Sequence, residues 1–253
     1  NPISDARLNT ANSEGNTFNG TGFAEIQLPY GFKFTSINNV YLNESRSTGT
    51  TNPYFGQYAA SNGMVNKEHD RSWSYNYQQR INWHQVYGKH DVEVMLGHEY
   101  YRAYGYALYA GKHNQFSVDN KELAGAVVLD NGSSSMSEYN TESWLSRAMY
   151  NYDSRYFGSV SAMRQASSRF SKDNWWGTFW SFGAGWNMHK ESWFNVDWIN
   201  ELKLKASYGE NGNDGIGSYM YTKYFSIVNS NNEVSLTPSS LGNPEISWEK
   251  NGK

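Results

Sequence analysis

Trp73-Ser74-Tyr75-Asn76-Tyr77-Gln78-Gln79-Arg80-Ile81-Asn82-Trp83-His84 is the stretch on which the fold is decided. Trp73, Tyr75, Tyr77, Ile81 and Trp83 alternate with Ser74, Asn76, Gln78, Arg80, Asn82 and His84, and only Gln79 interrupts the apolar series. Successive side chains of a strand point to opposite faces, so this period of two predicts a strand with one apolar and one polar face. Tyr87-Gly88-Lys89 follows as a tight turn. Val92, Val94 and Leu96 then return against Asp91, Glu93 and Gly97, which completes a hairpin over residues 71–106.

The same pattern extends in both directions. In a second hairpin over residues 141–164, Trp144, Ala148, Tyr150 and Tyr152 oppose Arg147 and Asn151, Asp153-Ser154-Arg155 makes the turn, and Tyr156, Val160 and Ala162 return. An earlier pair, residues 18–28 and 32–42, is joined at Pro29-Tyr30-Gly31. Later, Trp176, Thr178, Trp180, Phe182, Ala184 and Trp186 alternate with Gly177, Ser181, Gly183, Gly185 and Asn187, and Leu204, Ala206 and Tyr208 alternate with Lys205, Ser207 and Gly209. A last strand is expected from near Pro244, where an initial proline is tolerated. These arms exceed the roughly 5–6 residues of a globular strand and suffice for the about 9–11 residues a tilted strand needs to cross a bilayer.

Connections sort by side. Tight ones fall at 29–31, 87–89 and 153–155, with a moderate one at 189–200; the alternate ones, 47–69, 107–138, 168–174 and 211–243, are polar and mostly long. Up-and-down strands put every second connection on the same side, so this parity is the signature of an outer-membrane barrel. The expected fold is all-β: a partial antiparallel up-and-down transmembrane barrel with long loops on one side. Roughly nine strands are expected, an odd number where single-chain bacterial barrels carry even counts, which leads to the expectation that residues 1–253 are one barrel domain cut at both ends.

Composition narrows the function. The chain has 20 Tyr, 12 Phe and 10 Trp among 253 residues, no cysteine and a net charge of −3, with a mean hydropathy of −0.77. Disulfides and cysteine chemistry are excluded, and a nucleic-acid partner is not expected without a basic excess. Rings carry the apolar area that aliphatics usually carry, as suits membrane–water interfaces and binding surfaces. No run reaches the ~18 apolar residues of a membrane-spanning helix, and Asn1-Pro2-Ile3 carries neither part of a signal peptide.

Tyr150-Asn151-Tyr152-Asp153-Ser154-Arg155-Tyr156-Phe157 resembles the Y-x-Y-x-x-R-Y hairpin of SusC/RagA-type TonB-linked outer-membrane proteins. Ser167-Ser168-Arg169-Phe170 is similar to that family's D-G-S-S-R-F loop, with Gln165-Ala166 in place of Asp-Gly. Trp176-Gly177-Thr178-Phe179-Trp180-Ser181 with Ala184-Gly185-Trp186 resembles W-G-x-F-P-S…A-G-W, Trp180 standing where Pro is usual. Leu202-Lys203-Leu204-Lys205-Ala206-Ser207-Tyr208-Gly209, then Asn211-Gly212-Asn213, Ile216-Gly217 and finally Leu241-Gly242-Asn243-Pro244-Glu245-Ile246-Ser247-Trp248-Glu249, follow in family order. The resemblance implies TonB-dependent import of a large nutrient, glycan or peptide, across a Gram-negative outer membrane. It also implies a SusD-like lipoprotein lid, and a TonB complex acting through a plug domain that this chain lacks.

Within that reading, Trp73, Tyr75, Tyr77, Trp83, Trp144, Tyr150, Tyr152, Trp180, Trp186 and Tyr208 are expected to form a lipid-facing belt; stacking of sugars is the competing role. An Arg at Tyr152 is therefore expected to impair assembly more than one at Asn151. Tyr54, Phe55, Tyr58, Phe116, Trp175, Tyr219, Tyr221, Tyr224 and Phe225 are expected in loops, for ligand or partner contact or for self-packing. His84, His90 and His98 near one turn invite a metal reading, but no zinc-ligand spacing is present and the expectation is no metal and no cofactor. Glu93 and Glu99 are the carboxylates nearest to a catalytic reading; paired carboxylates meet only in space, and no enzyme is expected. The competing function is a secreted soluble β-protein that binds carbohydrate through exposed aromatics.

Overall fold

A computed structural model describes residues 8–196 and 198–253; the start Asn1-Pro2-Ile3 lies outside the described residues. Eleven strands follow in order: β1 (Thr10–Gln27), β2 (Phe32–Thr51), β3 (Met64–Tyr87), β4 (His90–Gln115), β5 (Ala126–Tyr152), β6 (Tyr156–Ser167), β7 (Trp176–Asn187), β8 (Lys203–Asn213), β9 (Tyr224–Ser230), β10 (Glu233–Ser240) and β11 (Glu249–Gly252). Nine of them form one sheet in the order β1-β2-β3-β4-β5-β6-β7-β8-β11, and β9 and β10 form a separate hairpin. Neighbours in sequence are neighbours in the sheet, as an up-and-down partial barrel requires.

Chain contacts divide the protein into two compact units. The first holds Asn1–Gly20, Asn39–Tyr75 and Arg102–Glu138. Its centre is small: Val65 is wholly buried, with Ala126, Asn52, Gln115 and Thr50 nearly so. Asn52 gives both its backbone N–H and its Nδ2 to Asn9 Oδ1, at 2.9 and 2.7 Å. Gln115 N donates to Asn62 O at 3.0 Å, closing the 52–63 connection against the end of β4.

The second unit holds Thr21–Asn38, Asn76–Tyr101 and Tyr139–Lys253. Here β5, β6, β7 and β8 pair antiparallel in continuous register: Ala148 faces Val160, Val160 faces Phe182, and Phe182 faces Tyr208. At the β1–β2 turn Tyr30 and Gly31 take φ of 62° and 83°. A Cβ on Gly31 would collide with His84 O, so the close approach of the turn to β3 requires glycine.

Two expectations are corrected. The connections expected at 47–69 and 107–138 shrink to 52–63 and 116–125, because β2, β3, β4 and β5 run on to lengths of 20, 24, 26 and 27 residues. Part of the added length is polar on both faces, as in Asp130-Asn131-Gly132-Ser133-Ser134-Ser135, and part is a run without alternation, as in Ala126-Val127-Val128-Leu129. The ladder of backbone hydrogen bonds holds such strands without any apolar alternation to read. The strand expected from Pro244 begins only at Glu249, because Trp248 turns into a ring cluster instead of a ladder. The expected 211–243 connection carries the β9–β10 hairpin.

Candidate functional site: a two-faced strand wall

Cross-strand pairing sorts the side chains of β5–β8. Tyr152 pairs with Tyr156, Tyr156 with Trp186 and Trp186 with Leu204; Trp144 pairs with Arg164 and Arg164 with Thr178. Paired residues share a face, so one side carries Trp144, Ala148, Tyr150, Tyr152, Val160, Ala162, Trp180, Phe182, Trp186, Leu204 and Tyr208. Large apolar groups there stand in the open: Trp144 is 55% exposed, Val160 55%, Phe182 51% and Leu204 54%. The opposite side carries Arg147, Asn151, Ser159, Ser161, Ser181, Gly183, Gly185, Lys203, Lys205 and Ser207, with Leu145, Met149, Phe157, Met163 and Phe179 among them. A groove on that side is lined by Asp91, Glu93, Arg147, Lys203, Lys205 and Ser207 together with Met149 and Phe157, with Gly183 and Gly185 supplying no side chain.

Rings on the apolar side cluster near each end of the strands and again between them, where Trp180 stacks on Phe182 at 6.0 Å and lies 5.7 Å from Tyr208. At the turn end Tyr152, Tyr156, Trp186 and Trp193 follow one another at centroid spacings of 6.3, 6.4 and 6.1 Å. Toward the other end Trp144 lies 4.3 Å from His98, and Arg164 covers Trp176 at 5.1 Å. Trp176 and Trp186 are the first and next-to-last residues of β7. At about 3.3 Å per residue this offset is ~33 Å along the strand, or ~25 Å along the normal for a tilt of about 40°, which is the height of the apolar band of outer-membrane barrels.

The turn rim is held by ion pairs. Asp153 and Ser154 both take positive φ, 53° and 54°, and Asp153 Oδ2 receives Lys89 Nζ at 3.0 Å and Arg155 at 2.6 Å. Arg155 also reaches Glu191 at 3.1 Å, while Tyr156 Oη–H and Trp186 Nε1–H donate to Glu191 Oε1 at 2.6 and 3.0 Å. Hydrogen bonds from Arg155 and Lys89 hold the Asp153 carboxyl below its ordinary value. Those from Tyr156 and Trp186 lower Glu191, and Asp153 and Glu191 together raise Arg155.

At the opposite end, a cluster that sequence reading does not find closes the β6–β7 connection. Asp214 Oδ2 accepts hydrogen bonds from Tyr139 Oη and Ser167 Oγ, both at 2.7 Å. Arg169 donates to Asp214 O at 2.9 Å and lies 4.4 Å from the Tyr139 ring centre. Trp248 packs on Phe170 at 5.2 Å and on Phe179 at 5.3 Å, and gives Nε1–H to Trp175 O. The Phe179 ring fills the space over Gly212, where any Cβ would collide with it. The only sequence signal for this cluster is the motif string itself; periodicity says nothing about contacts across so many residues.

The remaining expected residues are placed as follows. In the first unit Trp73 stacks on Tyr75 at 6.3 Å and on Tyr104 at 5.8 Å, with Arg102 5.6 Å from the Trp73 ring centre. In the second, Tyr77 meets His98 edge-on at 5.8 Å and Trp83 gives Nε1–H to Tyr30 O at 3.0 Å. Tyr54 and Phe116 are 65% and 92% exposed, Tyr219, Tyr224 and Phe225 are exposed, and Phe55, Tyr58 and Tyr221 are half-buried. Trp175 is half-buried and gives its ring N–H to Phe170 O at 2.8 Å, so it packs its own connection. The three histidines do not converge: His84 pairs with Asp91, His90 with Tyr150 and His98 with Glu142. Among the described residues no cluster of His, Asp and Glu is placed to hold a metal ion. Glu99 accepts from Asn76 and Gln78, and Glu93 lies in the groove.

One face of large exposed rings, an opposite face that holds most of the serine, glycine and charge, and tight turns at three of the four connections on one end, the β7–β8 connection of residues 188–202 being longer, define the wall of a partial β-barrel of the outer-membrane kind. Comparison with known proteins takes the assignment further. The TonB-dependent receptor SusC of Bacteroides thetaiotaomicron is 28% identical over 99% of this chain and 26% of its own length. TonB-dependent receptor P39 of Formosa agariphila is 26% identical over 99% of this chain and 25% of its own length. The solved structure of the RagAB peptide transporter superposes with a TM-score of 0.91 at 26% identity, covering 97% of this chain and 28% of that one. No family model matches the chain. Sequence and fold make it a SusC/RagA-like barrel chain, and it spans about a quarter of the length of these relatives.

Proposed function

We propose that this chain supplies barrel wall and outer loops to a TonB-dependent importer of a large nutrient, glycan or peptide, in a bacterial outer membrane. The observation that carries the reading is the register of β5–β8, which over the paired segments 141–152, 156–167, 176–187 and 203–209 puts every large exposed ring on one face and every charge but Arg164 and Glu142 on the other. Lipid cannot hydrogen-bond a backbone, so strands cross it only as a paired wall. The ring-bearing face then lies against hydrocarbon, and the rings near its two ends sit at the interfaces. The polar face lines the passage. Tyr54, Phe55, Tyr58, Phe116, Tyr219, Tyr221, Tyr224 and Phe225 face the outer side, where a SusD-like lipoprotein would close over the substrate. TonB would act through a plug domain inside the barrel. The work is transport, with no bond made or broken by the protein.

A soluble carbohydrate binder is not favoured: it accounts for neither the relatives nor open rings spread over a whole sheet face. The test is uptake by cells that depend on the full-length protein for growth on an oligosaccharide or peptide mixture. Growth is expected to stop when either the protein or TonB is removed. Undiminished growth without TonB would refute energised import.

A further inference from the structure

Glu99 sits on the polar face of β4 and accepts hydrogen bonds from Asn76 Nδ2 at 3.1 Å and Gln78 Nε2 at 3.2 Å on β3. These described partners are neutral amides. Its carboxylate is thus oriented and half-shielded but keeps capacity to accept further donors.

Two residues along β4, Tyr101 meets Tyr139 of β5 edge-on at 6.1 Å. Tyr139 cannot swing: its hydroxyl is bound to Asp214 and Arg169 covers its ring. Tyr139 therefore acts as a brace, and Tyr101 as a half-exposed ring held upright beside Glu99. Fixed aromatic and polar groups lose little freedom on binding, which favours affinity.

We propose that Asn76, Gln78, Glu99 and Tyr101 form a saccharide-binding station on the inner wall, below the outer loops. This rests on the import reading, because it needs the polar face to be the passage. A pyranose offers what the station lacks. Its hydroxyls donate to Glu99 and accept from the amides. Its apolar C–H face lies on the Tyr101 ring. A neutral peptide supplies N–H donors but no rigid apolar disc for the ring, so the saccharide is the better fit. Glu99, which a hydrolase reading would make catalytic, serves here as an acceptor.

The test measures binding of maltoheptaose, xylohexaose and an uncharged Ala/Ser decapeptide to the full-length protein in detergent, by calorimetry. Expected is saccharide binding that weakens at least about tenfold in Glu99→Gln and in Tyr101→Ala and is retained in Tyr101→Phe, with unaltered heat-modifiable migration of every variant. If neither saccharide binds the wild type, if the variants bind as the wild type does, or if only decapeptide binding falls, the station is refuted. A Gln78→Cys variant treated with a water-soluble maleimide in outer-membrane vesicles separates the two readings. Labelling with unchanged saccharide binding in Glu99→Gln refutes the station alone, whereas a Gln78→Cys that reacts with a lipid-soluble maleimide and not with the water-soluble one refutes the inner-wall reading on which the station depends.

Discussion

Val160 and Ser159 are adjacent on β6, at the same depth, on opposite faces. Val160 is 55% exposed and pairs across the sheet with Phe182, whereas Ser159 pairs with Gly183, which leaves room for a longer side chain. On β7, Phe182 lies between the ring levels of Trp176 and Trp186. At about 2.5 Å of depth per residue, the strand rise projected for a tilt of about 40°, it sits ~10 Å from the nearer level. Val160 shares that depth. Arginine at mid-band on the lipid face of an outer-membrane barrel costs roughly 2–4 kcal/mol, and near an interface about 0–1. Val160→Arg is therefore expected to lower the folding equilibrium constant by about 30- to 900-fold. Ser159→Arg should cost under about 1 kcal/mol, within the range of ordinary surface changes. Tyr152, next to the turn, is too near the rim for a decisive comparison, so the Tyr152/Asn151 pair should separate less. The assay is urea unfolding of the full-length protein in lipid vesicles, with outer-membrane yield as a second reading. Equal destabilisation by Val160→Arg and Ser159→Arg would refute the assignment of faces.

Two further outcomes are expected. Asp153 and Glu191 are held below their ordinary carboxylate values by Arg155, Lys89, Tyr156 and Trp186. A carboxyl depressed in the folded state stabilises at pH above its unfolded value and loses that contribution as pH falls through the folded one. The urea midpoint should therefore stay level from neutral pH to about 5 and decline below about 4, and Arg155→Ala should flatten that decline; an unchanged pH profile in Arg155→Ala would contradict the rim network. Trp248→Ala removes the ring between Phe170 and Phe179, and loss of a packed aromatic costs about 3 kcal/mol where little collapse is possible. Faster protease cleavage within residues 214–248, with the β5–β8 wall intact, is the expected result, and unaltered cleavage would show that the ring is not the anchor.

What could be read from the sequence follows from where the physics is local. Trp73-to-Trp83 alternation and the Tyr87-Gly88-Lys89 turn depend on neighbours in the chain, and β3 and β4 lie as expected. The strand stretches 47–51, 64–69, 107–115 and 126–138 were not legible, because they are either wet on both faces, as at 130–135, or apolar without alternation, as at 126–129, and neither carries two-sided hydropathy. The site divided in the same way. The ring-bearing face followed from parity, whereas Asp214 binding Tyr139 and Ser167, and Trp248 between Phe170 and Phe179, join residues whose separation leaves no periodic trace. Trp175 could be read as a loop aromatic but not as one committed to its own connection.

The Asp214 and Trp248 fastenings make the stretch between them a cartridge. It leaves the wall at a carboxylate clamp and returns at an indole wedge, so the β9–β10 hairpin can be shortened, lengthened or rewritten while both sockets stay as they are. That arrangement lets the hairpin diversify without renegotiating the strands that carry it.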